Sequence, residues 1–132
     1  MKITADTNVL LRAAVQDDPH QARQAIKALQ QAELVAVPDP VLCELVLVLR
    51  RGYKTSVSEI SDAIRRLLKT ANVVMNRPAI EAGLAVLEAG GDFADGVIAY
   101  EGEWLGAEEF VSFDAKAISV LQSQGGRARL LS

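Results

Sequence analysis

Short apolar segments alternate with helical segments along the whole chain, and this alternation limits the possible folds more than any other feature. Segments with strand character occur at residues 2–6, 34–37, 73–75, 109–113 and 128–131. Short strands joined through helices predict a parallel sheet with helices on both faces. We therefore expect an α/β fold, a three-layer open parallel sheet of about five short strands flanked by helices.

Capping residues mark where the helices should begin and end. Asp18-Pro19 and Asp39-Pro40 each read as an N-cap followed by proline at the first helical position. Residues 56–59, Ser-Val-Ser-Glu, form a capping box, and Gly52 is placed to end the preceding helix. Helices are accordingly expected at residues 7–15, 19–32, 40–52, 57–70, 77–89, 93–104 and 115–122.

Length and composition favour one cytoplasmic domain covering residues 1–132. The only cysteine, Cys43, excludes an internal disulfide and a cysteine-based zinc site. The longest nearly apolar run, residues 41–49, is about half as long as a membrane span requires, and the N-terminal segment is a poor signal peptide. We therefore expect no membrane partner.

The net charge of −3 argues against broad electrostatic capture of nucleic acid, but it leaves room for local basic surfaces. Three small basic clusters occur, and the simplest interpretation of each is a solvated helix end or loop. They are Arg50, Arg51 and Lys54; Arg65, Arg66 and Lys69; and Arg127 and Arg129.

Several acidic residues stand where a parallel sheet places its ligands, beyond the carboxyl ends of the strands. Asp6 ends the first strand and Asp114 follows the fourth. Each could instead cap the helix that follows it, and Asp95 could share a reciprocal cap with Asp92. Capping and catalysis are compatible here, because both use the same end of the sheet.

Glu44 lies in a helical segment that is apolar nearly all round, residues 41–49. A helix of this kind is expected to be buried. A lone buried carboxylate is costly unless it is paired or bound to metal, and no Lys or Arg lies within one turn. The sequence leaves two roles open for Glu44, a structural ion pair with a distant Arg or membership of a shared acidic site.

Carboxylates gathered at one edge would repel one another unless a cation neutralised them. Oxygen-only ligands indicate a hard divalent ion, Mg²⁺ or Mn²⁺, and such an ion suits hydrolysis of a phosphodiester. The residues for other chemistries are missing. His20 is the only histidine, so a two-histidine ribonuclease mechanism is excluded, and Gly90-Gly91 matches no nucleotide-binding loop.

Four segments resemble the motifs of PIN-domain ribonuclease toxins of the VapC type, in family order and spacing. They are residues 6–12 (DTNVLLR), 41–45 (VLCEL), 92–99 (DFADGVIA) and 112–114 (SFD). The sequence departs from the family pattern in two places. No aromatic residue stands near Leu47 or Val48, and Gly96 occupies a position where a small residue larger than glycine is frequent.

The resemblance implies a Mg²⁺-dependent endoribonuclease with a PIN-like fold. Asp6 and Asp95 would be the principal metal ligands, Glu44 and Asp114 would complete the acidic pocket, and Asn8 and Ser112 would support it by hydrogen bonding. It also implies a cognate DNA-binding antitoxin that covers the site, and a homodimer, with residues 19–32 and 40–70 as candidate surfaces. Two alternatives remain: a phosphoryl-transfer enzyme of the haloacid-dehalogenase kind, and an inert PIN module that binds RNA or protein.

Overall fold

The computed structural model describes every residue from Met1 to Ser132. It contains seven helices and five strands, as the sequence predicts. Their order is β1 (Lys2–Thr4), α1 (Thr7–Val15), α2 (Pro19–Gln31), β2 (Leu34–Ala36), α3 (Asp39–Arg51), α4 (Val57–Lys69), β3 (Val73–Val74), α5 (Arg77–Glu88), α6 (Phe93–Trp104), β4 (Phe110–Ser112), α7 (Ala115–Ser123) and β5 (Ala128–Leu130).

Most predicted caps form the expected hydrogen bonds. The Asp18 carboxylate accepts from the backbone N–H of Gln21 at 3.1 Å, at the start of α2. At the start of α4 the Ser56 hydroxyl accepts from the backbone N–H of Glu59 at 3.2 Å and donates to its carboxylate at 3.0 Å. These reciprocal contacts fix the first turn of α4.

The predicted cap at Asp39 is wrong. Pro38 is the N-cap residue of α3 and makes no side-chain cap, while Asp39 is the first helical residue. Proline is tolerated at either of the first two helical positions, because neither N–H has an intrahelical partner. The dipeptide Asp39-Pro40 therefore does not determine on its own which residue precedes the helix.

The chain divides into two compact units, residues 1–76 and 77–132. In the first, β1, β2 and β3 form a parallel sheet in that order. Its hydrogen bonds continue past the strands, since the N–H of Ala5 donates to Ala36 and that of Val37 donates to Val74, both at 3.0 Å. Val35 and Val37 are almost fully buried and anchor this core.

The second unit contains a separate parallel pair, β4 and β5, so that the five strands form two sheets. The α/β class and the parallel direction of every strand pair are confirmed. A single hydrogen-bonded sheet is not observed: the strands are only two or three residues long, and the ladder joins three of them in one unit and two in the other.

Helices α5 and α6 pack closely in the second unit, and this close approach explains why position 96 holds glycine and no larger residue. A Cβ atom on Gly96 would lie 2.5 Å from the carbonyl oxygen of Ala82 and 2.8 Å from the Cα of Gly83. Both obstacles are backbone atoms, so a side chain at this position would force the helices apart. Phe93 is fully buried beside Gly83 and fills the remaining space.

None of the seven helices combines the length and the apolar character that crossing a bilayer requires.

Candidate active site

Asp6 begins α1 in the first unit, directly after the end of β1. Its carboxylate accepts a hydrogen bond from the backbone N–H of Val9 at 3.0 Å and so caps the helix. The side chain is nevertheless exposed, with oxygen lone pairs left for a further ligand. The next residue, Thr7, is buried and donates to the carbonyl oxygen of Val41 at 3.4 Å, which ties this turn to α3.

Glu44 is exposed, and the expectation that it sits in an all-round buried helix is wrong. The buried residues of α3 are Leu42, Leu45, Val46 and Leu49. These follow the i, i+3, i+4, i+7 spacing of a single apolar face. Glu44 lies on the opposite face with Leu47, which is 45% exposed, so the apolar residues around Glu44 in the sequence do not bury it.

In the second unit Asp92 and Asp95 have different structural roles. Asp92 caps α6, because its carboxylate accepts from the backbone N–H of Ala94 at 3.2 Å. Asp95 lies in the first turn, where its backbone N–H donates to the carbonyl oxygen of Asp92. The Asp95 carboxylate is half-buried and accepts no hydrogen bond, and the Asp92 carboxylate bonds to Ala94 and not to Asp95. The predicted reciprocal cap between Asp92 and Asp95 is therefore wrong.

Burial raises the pKa of Asp95, and the negative charges of Asp92 and Asp114 raise it further. Each of these causes disfavours the ionised carboxylate. The second unit thus brings Asp95 and Asp114 close enough for their charges to interact. No cationic side chain contributes to the pKa of Asp95.

Asp114 follows β4 and caps α7, accepting from the backbone N–H groups of Lys116 at 3.0 Å and Ala117 at 3.2 Å. The Ser112 hydroxyl in turn accepts from the backbone N–H of Asp114 at 2.9 Å, which restrains the backbone that carries this carboxylate. Asn8, the other predicted supporting residue, is exposed on α1.

Asp39 and Asn76 were assigned no place in the site by sequence reasoning, yet they follow β2 and β3 at the edge where Asp6 follows β1. Continuing the strand register places Asp6, Pro38 and Asn76 at one level. The Asn76 amide donates to Asp39 Oδ2 at 3.4 Å, while Asp39 Oδ1 is buried without a hydrogen-bond partner. The sequence could have indicated Asp39 and Asn76 only by their positions, because each is a polar residue shortly after a strand.

The chemistry of the donors fits a hard divalent cation. Asp95 and Asp114 offer carboxylate oxygens, and Asp95 has neither a hydrogen-bond donor nor a cation to offset its charge. Mg²⁺ keeps several waters and needs few protein carboxylates. The structure contains no group of three or more His, Cys, Asp or Glu side chains arranged to hold a metal.

Residues 3–120 match the PIN domain family. This match covers most of the chain and includes residues of both compact units. PIN domains are generally metal-dependent nucleases. The chain therefore belongs to the PIN domain family. A comparison with curated proteins finds no match.

Proposed function

We propose that this protein is a Mg²⁺-dependent endoribonuclease, the toxin of a toxin–antitoxin pair of the VapC type. One observation carries the proposal: Asp95 is a half-buried carboxylate beside Asp92 and Asp114, and no group donates a hydrogen bond to it. Such an arrangement is unfavourable unless a cation offsets the charge. Membership of a nuclease family favours this reading over a phosphatase of the haloacid-dehalogenase kind.

We propose residues 1–132 as one functional domain, with the site residues that the family resemblance implies. Asp6 and Asp95 would hold the metal, and Glu44 and Asp114 would complete the pocket. A family match that crosses the boundary between the units supports this single-domain assignment. The retention of all four acids speaks against an inert PIN module.

A bound Mg²⁺ would supply an activated water and would offset charge on the phosphodiester. The residues of the chain would hold the reacting groups in position. Backbone N–H groups at the starts of α1 and α7 hold the carboxylates of Asp6 and Asp114, so each side chain is oriented within its own helix start before any ligand arrives. Ser112 restrains the backbone of Asp114, and exposed Glu44 is free to accept a proton or to orient water.

Cleavage of unpaired RNA tests the proposal directly. Unpaired segments expose both bases and backbone, so we expect them to be the substrate. Purified protein should cut a labelled, structure-free RNA with Mg²⁺ or Mn²⁺ and should stop when EDTA is added. Cleavage that continues undiminished in EDTA would exclude the metal-dependent mechanism. Absence of cleavage with every divalent ion would favour a module that only binds.

The proposed partners are a second copy of the chain and an antitoxin that covers the acids with an Arg or Lys. Apolar side chains available for such contacts include Leu47 on α3, 45% exposed, within the region predicted from sequence. Others lie outside that region: Trp104 and Phe113 are each 76% exposed, and Leu105 is 89% exposed. Light scattering of the purified chain should give the mass of a dimer, and a monomer at all concentrations would reject this part of the proposal.

A further inference from the structure

The last turn of α3 and the loop after it carry a concentrated positive charge in a chain whose net charge is −3. Arg50, Arg51 and Lys54 are all exposed, and none of them forms an ion pair. We call these residues together with Tyr53 the basic turn. Cations at the end of a helix favour the helix dipole, which is the ordinary explanation for the two arginines. It does not account for Lys54, which follows the helix, or for the aromatic side chain among them.

The basic turn has a fixed backbone. The N–H groups of Gly52 and Tyr53 both donate to the carbonyl oxygen of Val48, at 2.7 and 3.3 Å. The N–H of Thr55 donates to Leu49 at 2.9 Å, and Lys54 adopts a left-handed conformation with φ of 53°. The side chains of the basic turn therefore project from a helix end and a loop of defined conformation.

Tyr53 is held at its hydroxyl end and is 38% exposed. The hydroxyl donates to Asp17 Oδ2 at 3.1 Å, and Arg12 donates to Asp17 Oδ1 at 2.8 Å. Partial desolvation acts to raise the pKa of Asp17, but the bonds from Tyr53 and Arg12 outweigh it and lower the pKa. Asp17 thus stays ionised at neutral pH, its charge is balanced by Arg12, and the position of the ring is fixed.

Arg51 of the basic turn lies on the same face of α3 as Glu44, one of the acids of the proposed active site. Seven residues separate Glu44 from Arg51, which places them within about 20° of each other around the helix and about 10 Å apart along it. Both are exposed, on the side of α3 opposite its buried residues Leu42 and Leu45. At about 3.4 Å per nucleotide, roughly three stacked nucleotides span that length.

We propose that the basic turn binds the single-stranded RNA substrate next to the point of cleavage, with Arg50, Arg51 and Lys54 on phosphates and Tyr53 stacked on a base. This inference rests on the proposed ribonuclease function and assigns part of its substrate surface. Phosphate contacts give affinity that falls with salt, and an aromatic ring adds stacking energy that depends little on sequence. The unpaired cations and the restrained ring supply these two elements.

Fluorescence anisotropy with a labelled 12-nucleotide RNA in EDTA tests binding without metal-dependent cleavage. Affinity is measured from 25 to 200 mM KCl for wild type, Arg50→Gln, Arg51→Gln and Lys54→Gln. Each substitution should reduce the slope of log affinity against log salt by about 0.7. Arg127→Gln is the matched control, because Arg127 is an exposed arginine outside both the basic turn and the candidate partner surfaces. It should leave the slope unchanged.

Two substitutions of Tyr53 separate stacking from charge. Tyr53→Leu should weaken binding about 5- to 150-fold with an unchanged slope, since stacking contributes about 1–3 kcal/mol per base. Tyr53→Phe keeps the ring and loses only the bond to Asp17, so it should weaken binding less than Tyr53→Leu. Melting temperatures of all variants identify any loss that comes from unfolding.

The outcomes distinguish this inference from the proposed function. If wild type cleaves RNA with Mg²⁺ but the basic-turn variants bind with the slope of Arg127→Gln, the basic turn is not the RNA surface. A changed oligomeric state with an unchanged slope would assign these residues to a protein contact and overturn the inference. If wild type neither binds nor cleaves RNA, the proposed function and this inference fall together.

Discussion

Asp95→Asn should reduce RNA cleavage more than about 100-fold, and Asp6→Asn should have an effect of similar size. Changes to residues that only orient metal ligands already cost about 10- to 100-fold, so loss of a direct ligand should cost more. Glu44→Gln and Asp114→Asn should reduce turnover less, because in the proposed site they complete the pocket around the ligands. Turnover is measured with saturating Mg²⁺ on a structure-free RNA, with initial rates that separate kcat from KM.

Amide substitutions make this comparison interpretable, because asparagine caps helices about as well as aspartate. The caps that Asp6 provides for α1 and Asp114 for α7 should survive, and melting curves verify that they do. Asp92→Asn is the matched control, since Asp92 is an acid at the start of the same helix as Asp95 but serves as its cap. If Asp92→Asn lowered turnover as much as Asp95→Asn, the assignment within residues 92–95 would be wrong.

Local signals in the sequence predicted most helix boundaries. Helix α1 has the predicted limits, Thr7–Val15, and α6 begins after its cap Asp92 as expected. These signals act over three or four residues, through hydrogen bonds between a cap and the first turn. The start of α3 was misplaced by one residue because two prolines flank Asp39, and proline is compatible with either register.

Properties that depend on tertiary packing were harder to predict. The segment around Glu44 reads as apolar on all sides, and only the packing of α3 shows that Leu42 and Leu45 face the core while Leu47 faces outward. The buried Oδ1 atom of Asp39 has no local signature either, since it depends on where neighbouring strands end. Likewise, the tight approach of α5 and α6 at Gly96 could not be predicted from the sequence of either helix alone, because it depends on how the two helices pack.

Metal-free protein should become more stable when Asp95 loses its charge, so Asp95→Asn should melt higher than wild type at neutral pH. The carboxylate is half-buried beside two other acids, and its folded pKa is raised by burial first and by Asp92 and Asp114 next. A carboxyl group with a raised folded pKa holds its proton more tightly in the folded than in the unfolded chain. Stability therefore falls as pH rises between the two pKa values, and the full penalty applies above the folded one.

Melting curves across pH and Mg²⁺ concentration test this linkage. The advantage of Asp95→Asn should shrink as pH falls through the folded pKa, and it should vanish below the ordinary aspartate value of about 3.9. Mg²⁺ should offset the same repulsion in wild type, adding about 2.7 kcal/mol of stability at a hundredfold excess over its dissociation constant. The Mg²⁺ effect should be smaller in Asp95→Asn, because one ligand has been removed.

Glu59→Gln is the matched control for this experiment. Glu59 and Asp95 occupy the same position in the first turn of their helices, α4 and α6, but Glu59 accepts a hydrogen bond from the Ser56 hydroxyl. A negative charge at a helix start stabilises the helix by about 0.3–1 kcal/mol, so Glu59→Gln should melt lower and should not respond to Mg²⁺. Asp95→Asn should shift in the opposite direction, since charge repulsion at Asp95 outweighs the helix-start contribution. If both variants melt lower and Mg²⁺ leaves wild type unchanged, Asp95 is an ordinary helix-start acid and the proposed metal site is wrong.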